Sequence, residues 1–216
     1  MSVKEQRIDK NELSEELARV AEMIEKGEEI EEEYGEISTT DFKDLYTLEG
    51  VNDTIKGNKE HSYKELYKYF ADLYSKFVTS TMLEYARKTE ETGVEYINIL
   101  LDDGYFLILE GEENQVVIPH PSALASTHLH PNVCLFSYKD LETADQLFIK
   151  GYLAVGVLTT RCLLLLYRNG VYTTEDRESL LLLSKNVKKS KNGEDVIKAY
   201  NNAKFLQLAF HFVQFV

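Results

Sequence analysis

The chain has 216 residues, 44% of them hydrophobic, with 24 Lys/Arg against 37 Asp/Glu and a net charge of -13. That is enough apolar material for a substantial core, while the acidic balance argues against direct binding of nucleic-acid phosphates, which demand a basic face. Cys134 and Cys162 are too few for a disulfide framework, and no apolar run reaches the length of a bilayer span, so an intracellular, cytoplasmic location away from membranes is expected.

Residues 1–60 hold 18 acidic and 8 basic side chains, a net -10 that accounts for most of the imbalance. Within 1–35, Leu13, Leu17, Val20 and Ile24 mark one apolar face, which predicts a single acidic helix stopped near Gly27. The following run Glu28-Glu29-Ile30-Glu31-Glu32-Glu33 reads as a solvated segment or as a docking surface for a basic protein partner. Met1–Gln6 lacks the apolar stretch of a signal peptide. Residues 36–60, with Gly50 and Gly57, read as a linker with one helical turn near Phe42 and Tyr46. The expected organisation is an acidic helical extension with its linker over 1–60 and a domain over 61–216 that folds on its own.

Residues 62–88 predict a helix opened by a capping box of Ser62 and Glu65. Tyr63, Leu66, Tyr67, Phe70, Leu73, Tyr74, Phe77 and Val78 form its apolar stripe, best used in core packing. Beyond Thr92-Gly93 the periodicity changes to that of strands. Val94–Leu101 and Tyr105–Leu109 flank Asp102-Asp103-Gly104, a strong hairpin signal. Gln115–Pro119 reads as a short edge strand, and Ala125–His130 as the next extended segment. Ser137 caps a helix with the apolar face Leu141, Ala144, Leu147 and Phe148, ended by Gly151. Tyr152–Leu158 and Cys162–Tyr167 are near-continuous apolar runs and read as buried strands. Two C-terminal helices are expected, over 175–187 and 194–213. The fold class is therefore α+β, a central mixed sheet of about five or six strands flanked by helices.

The chemistry concentrates in Ser126–Asp140. In a strand, residues two apart point to the same side, so His128 and His130 present two imidazoles together. Pro131 biases His130 toward extended backbone. Asp140, in the first turn of the next helix, is the candidate third ligand. Two His and one Asp leave a fourth position for water, the arrangement of a catalytic zinc site. Such chemistry also needs a carboxylate to move the proton. His120 reads as a rim residue, and His61 and His211 as incidental. Cys134 lies in the loop and could be a soft ligand, but without a second nearby thiol it reads as a small buried or rim side chain, with no Gly-rich or helix-start context to activate it as a nucleophile.

These residues resemble the JAMM (MPN+) metalloprotease family, whose pattern is an upstream Glu, His-x-His-Pro, a short loop and Ser-x-x-Asp. The matching elements are Glu95, His128-Leu129-His130-Pro131 and Ser137-Tyr138-Lys139-Asp140. The order of elements over roughly residues 75–170 agrees as well, with a five-residue loop where the family has six. The resemblance implies an MPN/JAMM fold, cytidine-deaminase-like, with Zn2+ held by His128, His130 and Asp140. It implies Glu95 as general acid/base and Ser137 as a stabiliser of the oxyanion. The implied reaction is hydrolysis of an amide, with an isopeptide linking a ubiquitin-like modifier to a protein as the substrate. The competing readings are a non-catalytic MPN-like scaffold assembling through its acidic N-terminal region and a DNA-repair-associated relative of the same family.

Overall fold

The computed structural model describes residues 4–35, 38–39, 61–111 and 122–215. The expected turn near Phe42, the strand over Gln115–Pro119 and His120 all lie outside the described residues.

Strand β1 (Lys4–Lys10) and helix α1 (Glu12–Tyr34) replace the single N-terminal helix that the sequence predicts. The break is made by Asn11, whose side chain accepts the Ser14 N–H at 2.9 Å while the Ser14 hydroxyl accepts the Asn11 N–H at 2.9 Å. Glu12 and Glu15 then favour the positive end of the helix. Leu17, Val20 and Ile24 are buried as the spacing requires. Gly27 does not stop the helix. A Cβ there would lie 2.2 Å from the Tyr63 ring, so this glycine is where α1 and Tyr63 meet in close contact. The acidic run is helical too, and half of its expected solvation is lost. Glu28 pairs with Arg168 and accepts the Tyr67 hydroxyl, and Glu31 accepts the Tyr63 hydroxyl at 2.6 Å and pairs with Lys64 at 2.7 Å. Glu29, Glu32 and Glu33 remain exposed.

A two-residue ladder, β2 (Ser38–Thr39) with β3 (His61–Ser62), precedes α2 (Glu65–Thr92). The predicted capping box survives only in half. Glu65 accepts the Ser62 N–H at 3.3 Å, but the Ser62 hydroxyl accepts the Lys64 N–H at 3.3 Å and the helix starts later than predicted. Every member of the aromatic stripe is buried, and the Tyr74 hydroxyl meets the Thr127 hydroxyl at 3.0 Å. Gly93 closes α2 in the left-handed region at φ 74°.

The hairpin β4 (Tyr96–Leu100) and β5 (Tyr105–Glu110) forms as expected. β6 (Ala125–Leu129) lies antiparallel to β4 on its other side. Helix α3 (Tyr138–Ile149) crosses from β6 to β7 (Ala154–Leu158), which runs parallel to β6. β8 (Cys162–Arg168) returns antiparallel to β7. Helices α4 (Thr174–Lys189) and α5 (Gly193–Asn202) follow. The predicted helix over 194–213 ends at Asn202, and Leu208–Gln214 forms strand β9 against β8. The cause is local pinning: the Leu206 and Gln207 amides both donate to buried Asp176, at 2.7 and 2.9 Å, and the Asn169 amide donates to the Gln207 carbonyl at 2.7 Å. The chain is thereby turned into the sheet before another helical turn can form.

Among the described residues, the result is an α+β fold around a seven-stranded mixed sheet in the order β1-β5-β4-β6-β7-β8-β9, in which only β6 and β7 are parallel. Alternating side chains divide the core into two clusters. One gathers α1 and α2 with Leu100, Phe106, Ala125, Leu129 and Leu165, and the other gathers α3, α4 and α5 with Ile97, Ile99, Val155, Val157 and Leu164. Among the described residues, no helix is long and apolar enough to cross a membrane.

The N-terminal elements are tied into this body. β1 is hydrogen-bonded along β5, and Leu17, Val20 and Ile24 share the core cluster of α2. Burial of each such side chain contributes about 1.5–3 kcal/mol. A fragment spanning 61–216, expected from sequence to fold alone, therefore loses an edge strand and the helix that packs against α2. It should melt well below the full chain and associate on size-exclusion chromatography; an unchanged, monomeric melt would contradict this. Arg168 is only 6% exposed and is held by Glu28, by the Gly170 carbonyl at 3.1 Å and by the Tyr67 ring at 5.7 Å. Glu28→Ala strands that guanidinium and should cost about 3–5 kcal/mol in urea unfolding.

Candidate metal centre

The site stands where β6 ends and α3 begins. Thr127 faces α2 through its bond to Tyr74, so His128 faces the α3 side of the sheet. The extended backbone continues past the strand, because the His130 amide donates to the Leu158 carbonyl at 3.0 Å. His130 thus follows His128 onto the same side. Five residues, 132–136, then return the chain to Ser137.

Ser137 and Asp140 form the predicted capping box. The Ser137 hydroxyl accepts the Asp140 N–H at 3.3 Å, and Asp140 Oδ2 accepts the Ser137 N–H at 2.6 Å. The Asp140 carboxylate therefore sits among the free amides at the start of α3, where the helix field favours negative charge. It also reaches both histidines: His128 Nε2 lies 3.3 Å from Oδ1, and His130 Nε2 lies 3.5 Å from Oδ2. The two Nε2 atoms are 3.0 Å apart.

That triangle can be tested against a metal. With bonds near 2.05 Å, a tetrahedral zinc separates its ligand atoms by about 3.3 Å. The 3.0 Å between the two Nε2 atoms and the 3.3 Å from His128 Nε2 to Oδ1 lie near this value, while His130 approaches the other carboxylate oxygen, Oδ2, at 3.5 Å. His130 Nδ1 lies 3.1 Å from the Val133 carbonyl, which can only accept, so in neutral His130 the proton sits on Nδ1 and the Nε2 lone pair faces the triangle. The three side chains are 16–23% exposed, so water can reach the open corner. His128, His130 and Asp140 can therefore hold a metal ion, and they are the group of such ligands found among the described residues.

The electrostatics agree. Burial works to raise the Asp140 pKa, but the hydrogen bonds from His128, His130 and Ser137 and the charge on His128 outweigh it and hold the carboxyl well below its usual range. Burial disfavours protonated His130, yet Asp140, the Glu95 charge and the Val133 carbonyl together raise its pKa.

Glu95 falls just before β4 rather than within it, half-buried, with its carbonyl accepting the Gly111 N–H at 2.7 Å. In the β4–β6 register Ile97 faces His128; two more steps place Glu95 opposite His130. Its charge acts on His130, as noted, while Glu110 faces Tyr96 and Glu91 is exposed at the end of α2. Cys134 is half-buried, with Sγ 3.9 Å from the Val157 carbonyl. Burial, and then the neighbouring Cys162 thiol, push its pKa up, so it is not an activated nucleophile. His211 lies 3.6 Å from Asp72, on β9 and α2. A cleft of about 260 Å³ between α1 and the segments 122–124 and 150–153 contains none of the triad.

The sequence missed two partners of the site. The Val133 carbonyl is main chain and carries no residue signature. Tyr200 donates to the Phe136 carbonyl at 2.8 Å from 64 residues away, beyond the reach of any local pattern. Comparisons with protein-family models, with curated proteins and with solved structures give no match.

The capping role of Ser137 can be tested without metal. Ser137→Ala should cost about 1 kcal/mol in urea unfolding of metal-free protein, and Ser137→Gly only a few tenths. No loss in Ser137→Ala would mean that the hydroxyl does not cap α3.

Proposed function

We propose that the chain is a zinc-dependent hydrolase of the JAMM (MPN+) type that cleaves an amide bond, with isopeptide linkages to a ubiquitin-like modifier as the substrate class. The observation that carries this reading is the grouping of His128, His130 and Asp140, whose ligand atoms lie within 4.8 Å of one another, with Glu95 across the strand pair. Zinc bound there would lower the pKa of a water toward neutrality and polarise the scissile carbonyl.

The roles of the chain's own groups follow from their chemistry. His128 and His130 supply neutral nitrogen ligands. Asp140 stays ionised and supplies oxygen. Glu95, a carboxylate outside the ligand triangle, takes the proton from the attacking water and hands it to the departing amine. Ser137 is exposed beside the site, and its O–H donates to the oxyanion on turning from Asp140.

Purified protein should carry close to one zinc per chain by metal analysis, and His128→Ala or Asp140→Ala should abolish it. Glu95→Gln should keep the zinc and lose roughly 10²–10⁴-fold in hydrolysis of an isopeptide-linked ubiquitin-like substrate. Full activity in Glu95→Gln would remove Glu95 as the base, and a chain that binds no zinc would remove the whole reading.

A further inference from the structure

The loop that carries the chain from His130 to Asp140 ends at Phe136, and one peptide group joins Phe136 to Ser137. Both ends of that group are occupied. Its carbonyl accepts the Tyr200 hydroxyl at 2.8 Å, and its N–H, that of Ser137, donates to Asp140 Oδ2 at 2.6 Å. A peptide group is planar and resists rotation about its C–N bond. Fixing the carbonyl therefore fixes the direction in which the N–H points, and with it the oxygen of Asp140 that faces His130. Hydrogen bonds in series also polarise one another, so a donor on the carbonyl strengthens the N–H as a donor to the carboxylate.

We propose that Tyr200 is a positioning residue for the metal ligand Asp140, acting through the Phe136–Ser137 peptide group. The inference rests on the metal-site reading above. Tyr200 belongs to α5 and is placed independently of the site, its ring packing against Phe210 on β9 at 5.5 Å between centroids. Phe136 is buried, with its ring 6.5 Å from that of His128, so the carbonyl is presented from a fixed base. The hydroxyl is suited to donate. Burial is the main influence raising its pKa, the Phe136 carbonyl opposes it and the Asp140 charge adds to the rise, so Tyr200 stays protonated. The C-terminal helix thereby takes part in the geometry of a site built from β6 and α3.

The test is Tyr200→Phe, which keeps the ring and removes only the donor. Tyr172→Phe is the control: it deletes a hydroxyl that donates to Asp145 at 2.9 Å, further along the same helix α3. Each protein is stripped of metal, its melt recorded, and then titrated with Co2+ while the visible absorption of the bound ion is followed. Tyr200→Phe should bind Co2+ on the order of 10-fold more weakly and change the position or intensity of the absorption bands. Tyr172→Phe should match the wild type in both. Wild-type affinity and spectrum in Tyr200→Phe would overturn the inference and leave the metal site standing. A lowered melt with an unchanged spectrum, or failure of Tyr200→Phe to fold, would make Tyr200 a structural residue only and would also overturn it. No Co2+ binding by the wild type would remove the metal site and this inference together.

Discussion

A single carboxylate has two structural tasks at the junction of β6 and α3. Asp140 accepts the Ser137 N–H to complete the cap of α3, and the same two oxygens face His128 and His130. A carboxylate has about four lone-pair directions, so the tasks do not compete. They are nevertheless coupled, because the start of α3 cannot shift without moving the ligand. Whatever seats α3 therefore seats Asp140, including the burial of Leu141, Ala144, Leu147 and Phe148 against the sheet and the parallel return into β7.

The two candidate histidine ligands stand on or beside a strand paired on both sides. His128 is within β6, which is paired on both sides, antiparallel to β4 and parallel to β7. His130 keeps a sheet hydrogen bond to the Leu158 carbonyl. On the opposite face the aromatic stripe of α2 supports the same strand through Tyr74 and Thr127. Sites built on paired strands and helix starts keep their geometry better than sites on free loops. The loop 132–136 is itself tied at Val133, Cys134 and Phe136, to three different elements.

What could be read from sequence follows the range of the interactions involved. The histidine pair was legible because a strand repeats every two residues, and Ser137 with Asp140 because a capping box closes within one turn. The hairpin was legible in Asp103-Gly104 and its flanking runs. β1 was not, because Lys4–Lys10 has no strand periodicity of its own and owes its form to β5. β9 was not, because its phenylalanines and leucines also fit a helical spacing, and the choice is made by Asp176 some 30 residues earlier. Gly27 was misread for a similar reason. Its meaning lies in Tyr63, which approaches from another element. His128, His130 and Asp140 could be grouped from sequence because they lie within thirteen residues of one another, whereas Glu95 could be placed beside His130 only once the β4–β6 register was known.

The pairing of β1 with β5 has a consequence for how the chain must assemble. Lys4 meets Glu110, so during synthesis β1 waits for a partner more than a hundred residues later in the chain. The entropy of closing so long a loop grows only as its logarithm, about 0.6 kcal/mol per doubling, so the native state loses little by it. The burden falls on the rate, since distant partners slow the search. Through that interval α1 carries an apolar face with no sheet to cover it. In the finished fold the acidic run is divided: Glu29, Glu32 and Glu33 stay exposed, while Glu28 and Glu31 are recruited as internal ties.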